Sequence, residues 1–339
     1  MDRPDIPLAR IEAARAGLLG RVHRTPTLSS VTAARLIAGA HGVALADGRV
    51  FLKAEHLQRT GSFKPRGAFT RLASLTPAER TAGVITLSAG NAAQGYALAG
   101  LELGVPVTVV MPETAVRAKV DAVRGYGAEV ILRGSHPLEA LSHLHELAEQ
   151  RGLIFAHPFD DPDVIAGFGS IGLEILEDLR EVDIVVVPVG GGGLISGIAA
   201  AVKQSRPGVR VYGVEPDGSN ALALALEAGH PVPIVPRSVA DGLGAPSAGE
   251  WTLAFAQRYV DGVVLVDDAT ILGGLRLAAE RLKQVVEPAG AAALAAVLYG
   301  RVPLRDGDRV CAVLSGGNVA IERLGELLAA AAPYPGVIG

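Results

Sequence analysis

The sequence predicts an α/β protein with open, mainly parallel sheets flanked by helices. Short β-rich runs alternate with helix-like segments along nearly the whole chain. These runs are continuously apolar instead of alternating, which is typical of strands buried on both faces of a parallel sheet. The segments between them hold apolar residues at helical spacing, such as Val116, Val120 and Val123 before Gly125.

Nine segments fit the strand pattern. In chain order they are VFLKAEH from Val50, GVITLS from Gly83, PVTVVMP from Pro106, AEVILRG from Ala128, LIFAHP from Leu153, DIVVVPVG from Asp183, VRVYGVEP from Val209, DGVVLVDD from Asp261 and DRVCAVLSG from Asp308. Strand–helix units run from about Gly83 to His157 and can form a compact inserted lobe. We therefore expect a large domain of residues 1–80 and 160–339 and a small inserted α/β domain of residues 81–159.

The composition argues against several classes of protein. Of the 339 residues, 49% are hydrophobic, which is enough for a large core. A net charge of −4 gives no electrostatic basis for binding nucleic acid or an anionic membrane. No apolar run approaches ~18 residues and the N-terminus lacks an apolar signal segment, so we expect a cytoplasmic protein. The single cysteine, Cys311, lies in an apolar run and is expected to be a buried, inert thiol.

The strongest local signal is VDIVVVPVGGGGLISGIAAAVK, residues 182–203, where four glycines join a buried strand to a helix. Gly190, Gly191, Gly192 and Gly193 have no Cβ atoms, so their N–H groups can converge on an anion at the positive end of the helix. A phosphate is the expected ligand. The alternatives are a flexible turn and a dinucleotide site, but G-x-G-x-x-G fails in every register and G-K-[ST] is absent.

Two further turns place polar groups where a strand ends. In VITLSAGNAAQG, the strand ends at Ser88, and Gly90 and Asn91 open a helix whose N–H groups can bind a carboxylate. In AVLSGGNVA, Ser315 follows a buried strand at the sheet edge where ligands of open α/β sheets bind. For each of these side chains the alternative is a helix-capping role.

The segment TGSFKPRGAF contains Lys64, one of only five lysines in the chain. Pro65 suits the first turn of a helix, which places Lys64 at the helix N-terminus. The helix dipole and desolvation by Phe63 both favour the neutral amine, which can form a Schiff base with a carbonyl. The alternative is a snorkelling surface lysine, and the other four lysines are expected on strand or helix surfaces.

A Schiff-base lysine, a phosphate loop and a polar partner for a ring atom together describe a site for pyridoxal 5'-phosphate. The motifs SFKPRGA, SAGN, GGGG and LSGGN occur in the order that marks the serine/threonine dehydratase (threonine ammonia-lyase) family, which is related to serine racemase. Further tracts resemble the family, including SIGLEIL, VADGLG and EPAGAAALAA, and the similarity runs from about His23 to Gly317. The resemblance implies the two-domain fold-type II architecture, tryptophan synthase β-like, with the cofactor between the domains, and a homodimer.

The resemblance also assigns roles in holding the cofactor. Lys64 would bind the cofactor aldehyde, Phe63 would pack beside the ring, and Asn91 would hydrogen-bond the ring 3-hydroxyl. Gly190 to Gly193, with the Leu194 amide, would bind the phosphate. Ser315 would face the pyridine nitrogen as a neutral partner.

For the substrate, Ser88 and the amides of Ala89, Gly90 and Asn91 would hold the carboxylate. Lys64 would then take the Cα proton, and the β-hydroxyl would leave with help from the cofactor phosphate. The implied reaction converts L-threonine or L-serine to 2-oxobutanoate or pyruvate plus ammonia.

Alternatives to this reaction stay open. Serine racemases resemble the family but carry a second serine where this chain has Ala89, which disfavours racemisation. Ala92 stands where the family often has His, so a dehydratase for 3-hydroxyaspartate or a β-aryl serine is a further reading. A non-catalytic binder of an amino acid or a nucleotide is the alternative from another class.

A metal site is a further hypothesis from the resemblance. Some relatives bind Mg²⁺ or a monovalent cation at an acid that matches Glu215, but a second acid expected six residues later is Ala221. The alternative for Glu215 is a surface or helix-capping carboxylate.

Overall fold

The computed structural model describes residues 5–134 and 137–335, which contain two β-sheets. Their strands are, in chain order, β1 (Thr27–Ser30), β2 (Val50–Lys53), β3 (Val84–Leu87), β4 (Val107–Met111), β5 (Glu129–Leu132), β6 (Ile154–Phe155), β7 (Ile184–Pro188), β8 (Arg210–Pro216), β9 (Gly262–Val266) and β10 (Val310–Val313). All nine predicted strands are confirmed. The tenth, β1, has the sequence TLSS, which carries a single large apolar residue and so gave no strand signal.

The α-helices in the same described ranges are α1 (Leu8–Gly17), α2 (Val31–His41), α3 (Lys64–Ala73), α4 (Pro77–Ala82), α5 (Asn91–Leu103), α6 (Arg117–Gly125), α7 (Pro137–Arg151), α8 (Pro162–Asp178), α9 (Gly193–Ser205), α10 (Ala221–Ala228), α11 (Glu250–Tyr259), α12 (Asp268–Leu277), α13 (Pro288–Leu298) and α14 (Ile321–Ala330). None of the helices in the described part is long and apolar enough to span a bilayer.

The strands form a six-stranded sheet in the order β1-β2-β10-β7-β8-β9 and a four-stranded sheet in the order β5-β4-β3-β6. Every pairing is parallel except that of β1 with β2. The predicted fold class, α/β with mainly parallel sheets, is confirmed. The four-stranded sheet is built from one continuous stretch of chain, whereas the six-stranded sheet collects strands from before and after it. The division into two domains stays a prediction.

Burial explains why the strands and several helices lack a polar face. All five residues of β7 are buried, as is every residue of α13. Helices α3 and α8 approach closely at Gly167, where an added Cβ would overlap the backbone oxygen of Arg66. This contact holds the helix that begins with Lys64 firmly against α8.

The helices also enclose a cluster of charges. Lys53 is completely buried on β2, and its Nζ lies 2.7 Å from Glu174 of α8. Arg66 of α3 is also buried and pairs with Glu55 and Glu174. The prediction that all lysines other than Lys64 lie on surfaces is therefore wrong for Lys53. A strand pattern that tolerates one charged end residue cannot reveal a partner on a distant helix.

The remaining expectation about the core concerns Cys311. The residue lies on β10 and is fully buried. Burial raises the pKa of its thiol to about 12, so it is protonated at neutral pH. The prediction of a buried thiol is confirmed, and the raised pKa supports the prediction that it is inert.

Candidate active site

Lys64 is the first residue of α3, with Phe63 as the N-cap residue and Pro65 in the first turn. The predicted helix start is thus confirmed. The half-buried side chain extends so that Nζ donates a hydrogen bond to the Pro158 carbonyl at 3.3 Å and lies 4.9 Å from the centre of the Phe63 ring. Burial lowers the pKa of the amine to about 8, and the nearby Glu287 carboxyl group partly opposes this shift. At pH 7 roughly a tenth of the amine is therefore neutral and nucleophilic.

Three of the four consecutive glycines, Gly191 to Gly193, are packed too closely for side chains. A Cβ at Gly191 would overlap the Phe159 ring, and one at Gly193 would lie 2.7 Å from the Phe159 carbonyl oxygen. Gly192 has a φ of +93°, which is a left-handed conformation that favours glycine. Phe159 immediately follows Pro158, the residue that accepts the Lys64 hydrogen bond, so the glycine loop and the lysine share one neighbouring segment.

The N–H groups at the start of α9 are available to a ligand. The N-cap residue, Gly192, provides no side-chain cap, and Ser196 donates to the Gly192 carbonyl at 3.0 Å. The preceding N–H groups, including that of Leu194, lie in the first turn, where an α-helix offers no internal acceptor. A loop without Cβ atoms at a helix N-terminus fits a phosphate.

Ser315 lies two residues beyond β10 and is buried. Its hydroxyl group is 3.5 Å from the Ala289 carbonyl oxygen, and its own carbonyl accepts the Phe63 N–H at 3.2 Å. The following helix, α14, begins only at Ile321 and has Ala320 as its N-cap residue, so the capping alternative for Ser315 is wrong.

Asn91 opens α5, but the N-cap residue is Gly90 and has no side-chain cap. The Asn91 side chain instead donates to Glu287 at 2.7 Å and accepts from Asn318 at 2.7 Å. The capping alternative for Asn91 is therefore wrong. Ser88 accepts a hydrogen bond from the Gly90 N–H at 3.2 Å, which forms a tight turn before the helix.

These contacts bring three predicted motifs together. The Phe63 N–H of the TGSF segment donates a hydrogen bond to the Ser315 carbonyl of the LSGGN loop. Asn318 of that loop donates a hydrogen bond to Asn91 of the SAGN turn. A partly neutral amine, a phosphate-sized loop with free amides, a buried hydroxyl group and a fixed amide are groups that fit pyridoxal phosphate.

Comparisons with known proteins agree with this fit. The family described as pyridoxal-phosphate dependent enzyme matches residues 23–316, and the chain belongs to that family. Within it, the chain is 40% identical to the L-threonine ammonia-lyase of Thermotoga maritima over 95% of this chain and 78% of that protein. It is 43% identical to the catabolic L-threonine dehydratase of Escherichia coli K12 over 83% of this chain and 86% of that protein. Among solved structures, maize serine racemase superimposes with a TM-score of 0.87 at 33% identity, covering 96% of this chain and 97% of that one.

The Glu215 carboxyl group lies against the first turn of helix α10. Glu215 is fully buried on β8, and its two carboxylate oxygens accept the N–H groups of Leu222 at 2.8 Å and Ala223 at 2.9 Å. Burial raises the pKa of this carboxyl group to about 7, and the two hydrogen bonds partly oppose the shift. Within residues 5–134 and 137–335, no group of three or more His, Cys, Asp or Glu side chains is placed to hold a metal ion. This geometry favours the capping alternative.

Sequence reasoning missed several residues that shape the site. Glu287 and Asn318 are hydrogen-bonded to the Asn91 side chain, and the centre of the Phe168 ring lies 5.7 Å from the Lys64 amine. His157, beside Pro158, accepts the backbone N–H groups of Phe159 and Asp160 through Nδ1. Glu287 and Asn318 stand in the quoted EPAG and LSGGN tracts, which was the only local signal for them.

Proposed function

We propose that this chain is a pyridoxal-phosphate-dependent ammonia-lyase that converts L-threonine, L-serine or both to 2-oxobutanoate or pyruvate plus ammonia. The observation that carries the proposal is Lys64, a half-buried amine with a lowered pKa and no ion pair among the described residues. The names of the two curated relatives support the reaction, since both are threonine ammonia-lyases or dehydratases at 40% identity or more.

When bound, pyridoxal phosphate supplies an electrophilic aldehyde and a ring that accepts the electron pair left at the substrate Cα. The chain supplies the rest. The amides of Gly190 to Leu194 would hold the phosphate, Asn91 would donate to the ring 3-oxygen, and Ser315 would meet the ring nitrogen with an uncharged hydroxyl group. Phe63 would pack beside the ring.

The substrate would be held and deprotonated by two other groups. Ser88 and the amides of the following turn, Ala89 to Asn91, would bind its carboxylate at the N-terminus of α5. Lys64 Nζ would take the Cα proton as a general base, because a lowered pKa keeps part of the amine unprotonated at neutral pH. Facing the ring nitrogen, the neutral hydroxyl group of Ser315 would supply no charge to it.

The test is a panel of β-hydroxy amino acids that includes L-threonine, L-serine, 3-hydroxyaspartate and a β-aryl serine. Oxo acid and ammonia are measured together, with Lys64→Ala as the inactive control. We expect equimolar products from L-threonine or L-serine and none from Lys64→Ala. Oxo acid formation that persists in Lys64→Ala would contradict the proposal.

Serine racemisation is the second candidate, favoured by the structural similarity to maize serine racemase. Ala89 argues against it, since an alanine cannot exchange a proton on the opposite face of Cα. Chiral analysis of serine recovered from the reaction decides this point, and we expect no D-serine. A silent binder of amino acids or nucleotides would give no product from any substrate.

A homodimer, a cytoplasmic location and a cation at Glu215 stay predictions. Sedimentation velocity tests the first. For the cation, turnover is compared after chelation and after adding back Mg²⁺ or K⁺. Because both carboxyl oxygens of Glu215 already accept backbone N–H groups, we expect turnover to be independent of these cations.

A further inference from the structure

Glu287 is a buried acid that the proposed reaction does not use. It is the N-cap residue of α13 and is 5% exposed. Its Oε1 atom accepts the Asn91 side-chain hydrogen bond at 2.7 Å. An added Cβ at Gly316 would overlap the same oxygen, and the Glu287 N–H donates to the Gly316 carbonyl at 3.1 Å. The carboxyl group is therefore enclosed between the SAGN turn and the LSGGN loop.

Asn318 completes a chain of side-chain amides. Its Nδ2 atom donates to the Thr60 carbonyl at 2.6 Å and to Asn91 Oδ1 at 2.7 Å. A backbone carbonyl can only accept, so the Asn318 amide must present its nitrogen to Thr60. Both hydrogens of that nitrogen are then used, one on each acceptor.

This arrangement determines the orientation of the Asn91 amide. Asn91 must present Oδ1 to the donating nitrogen of Asn318, and Nδ2 to the carboxyl oxygen of Glu287. Nδ2 carries two hydrogens, and Glu287 takes one. The second hydrogen is left for a ligand oxygen.

We infer that Glu287 and Asn318 are positioning residues that lock the Asn91 amide with its nitrogen, and not its oxygen, offered to the cofactor. If the amide turned over, Oδ1 would face an acceptor oxygen of the ligand and the contact would become repulsive. The inference rests on Asn91 meeting the cofactor, as in the proposed function, but it does not depend on which amino acid is the substrate.

The test must distinguish the effect of the Glu287 charge from the effect of its hydrogen bond with Asn91. Burial raises the pKa of this carboxyl group to about 7, the bond from Asn91 opposes the shift, and Asp241, Lys119 and Lys64 contribute smaller electrostatic effects. Glu287→Gln keeps an acceptor oxygen and removes the charge, whereas Glu287→Leu removes both. Asp241→Asn removes a nearby negative charge that has no bond to Asn91 and serves as the matched control.

The experiment measures the dissociation constant and absorption maximum of pyridoxal phosphate on the purified apoenzyme, without any substrate. Asn91→Ala and Glu287→Leu are each expected to weaken cofactor binding roughly 10-fold, since the first removes the Asn91 hydrogen bond to the cofactor and the second removes an acceptor that holds the Asn91 amide in place for it. The double variant is expected to be no weaker than Asn91→Ala alone. Glu287→Gln and Asp241→Asn should stay within about threefold of the parent protein, with an unchanged absorption maximum.

Additive losses in the double variant would overturn the inference, as would unchanged binding in Glu287→Leu. An equal loss in Glu287→Gln and Glu287→Leu would also overturn it, because charge and not amide orientation would then be responsible. These outcomes leave the proposed substrates untouched, since no turnover is measured.

A second variant keeps the test decisive if Glu287→Leu does not fold. Asn318→Asp has nearly the same shape but cannot donate to Thr60 or Asn91. It should weaken cofactor binding roughly 10-fold, whereas Asn220→Asp, the same change before α10, should not. Equal affinities in these two variants would overturn the inference.

Discussion

Lys53 and Lys64 are both withdrawn from solvent, but their amines have different neighbours. Lys53 is completely buried and faces Glu174 at 2.7 Å and the Thr25 carbonyl at 2.7 Å. Lys64 is half-buried beside two aromatic rings, and among the described residues its amine donates to a backbone carbonyl. The Lys53 amine has a charged partner in Glu174, whereas desolvation without an ion pair among the described residues lowers the pKa of the Lys64 amine to about 8. Burial alone therefore does not identify a catalytic lysine.

The largest expected effect comes from making the same change at both residues. Lys53→Met leaves Glu174 with one cation fewer in the core and should reduce the free energy of unfolding by about 3–5 kcal/mol. Lys64→Met should cost about 1 kcal/mol or less but abolish cofactor absorbance and turnover. Urea unfolding measures the stability of the two variants, and visible spectra and a turnover assay measure their cofactor absorbance and activity. Equal destabilisation by the two changes would break the comparison.

The ionisation of Lys64 provides the next test. Because burial lowers the pKa of this amine to about 8, the rate at which apoenzyme captures pyridoxal phosphate should rise about tenfold per pH unit below that value. The rate should level off above it. Stopped-flow absorbance measures the capture. Free lysine with a blocked α-amino group, which reacts only through its side-chain amine, serves as the control. A profile that keeps rising to the ordinary lysine pKa would show that the site does not perturb the amine.

Glu215 extends the comparison to a buried acid whose carboxyl oxygens accept two backbone N–H groups. Burial raises the pKa of this carboxyl group from 4.5 to about 7. Between these two pH values the folded state therefore holds a proton that the unfolded state has released. The stabilisation is complete below about pH 4.5 and is lost as pH rises through 7. Relative to Glu215→Gln, the parent protein should lose up to about 1.4 kcal/mol per pH unit in that window. If the free energies of unfolding of the parent protein and Glu215→Gln changed equally from pH 5 to 8, the raised pKa of Glu215 would be contradicted.

The smallest effect is expected at a third lysine. Lys119 of α6 pairs with Asp241 at 2.9 Å, and the side chains are 33% and 67% exposed. Lys119→Ala should therefore cost only about 0.2–1 kcal/mol, and less in high salt, in contrast to Lys53. Chemical denaturation at low and high ionic strength measures the difference. A loss comparable to that of Lys53→Met would mean that exposure does not distinguish the two pairs.

The sequence by itself determined the features that depend on neighbours along the chain. Continuous apolar runs identified nine strands, Pro65 located the helix start at Lys64, and the consecutive glycines marked the loop before α9. Each of these follows from local backbone preferences or from the requirement that a buried strand be apolar. The order of the motifs then pointed to the family.

The tertiary structure alone decided which side chains meet. Asn91 and Asn318 are 227 positions apart, and Lys53 and Glu174 also belong to distant segments, so no periodicity links them. Glu215 could be a metal ligand or a cap by its sequence context, and only the approach of the α10 amides favours the cap. Side-chain orientation, burial and pKa depend on contacts made across the fold, and these arise only when the packed core brings remote segments together.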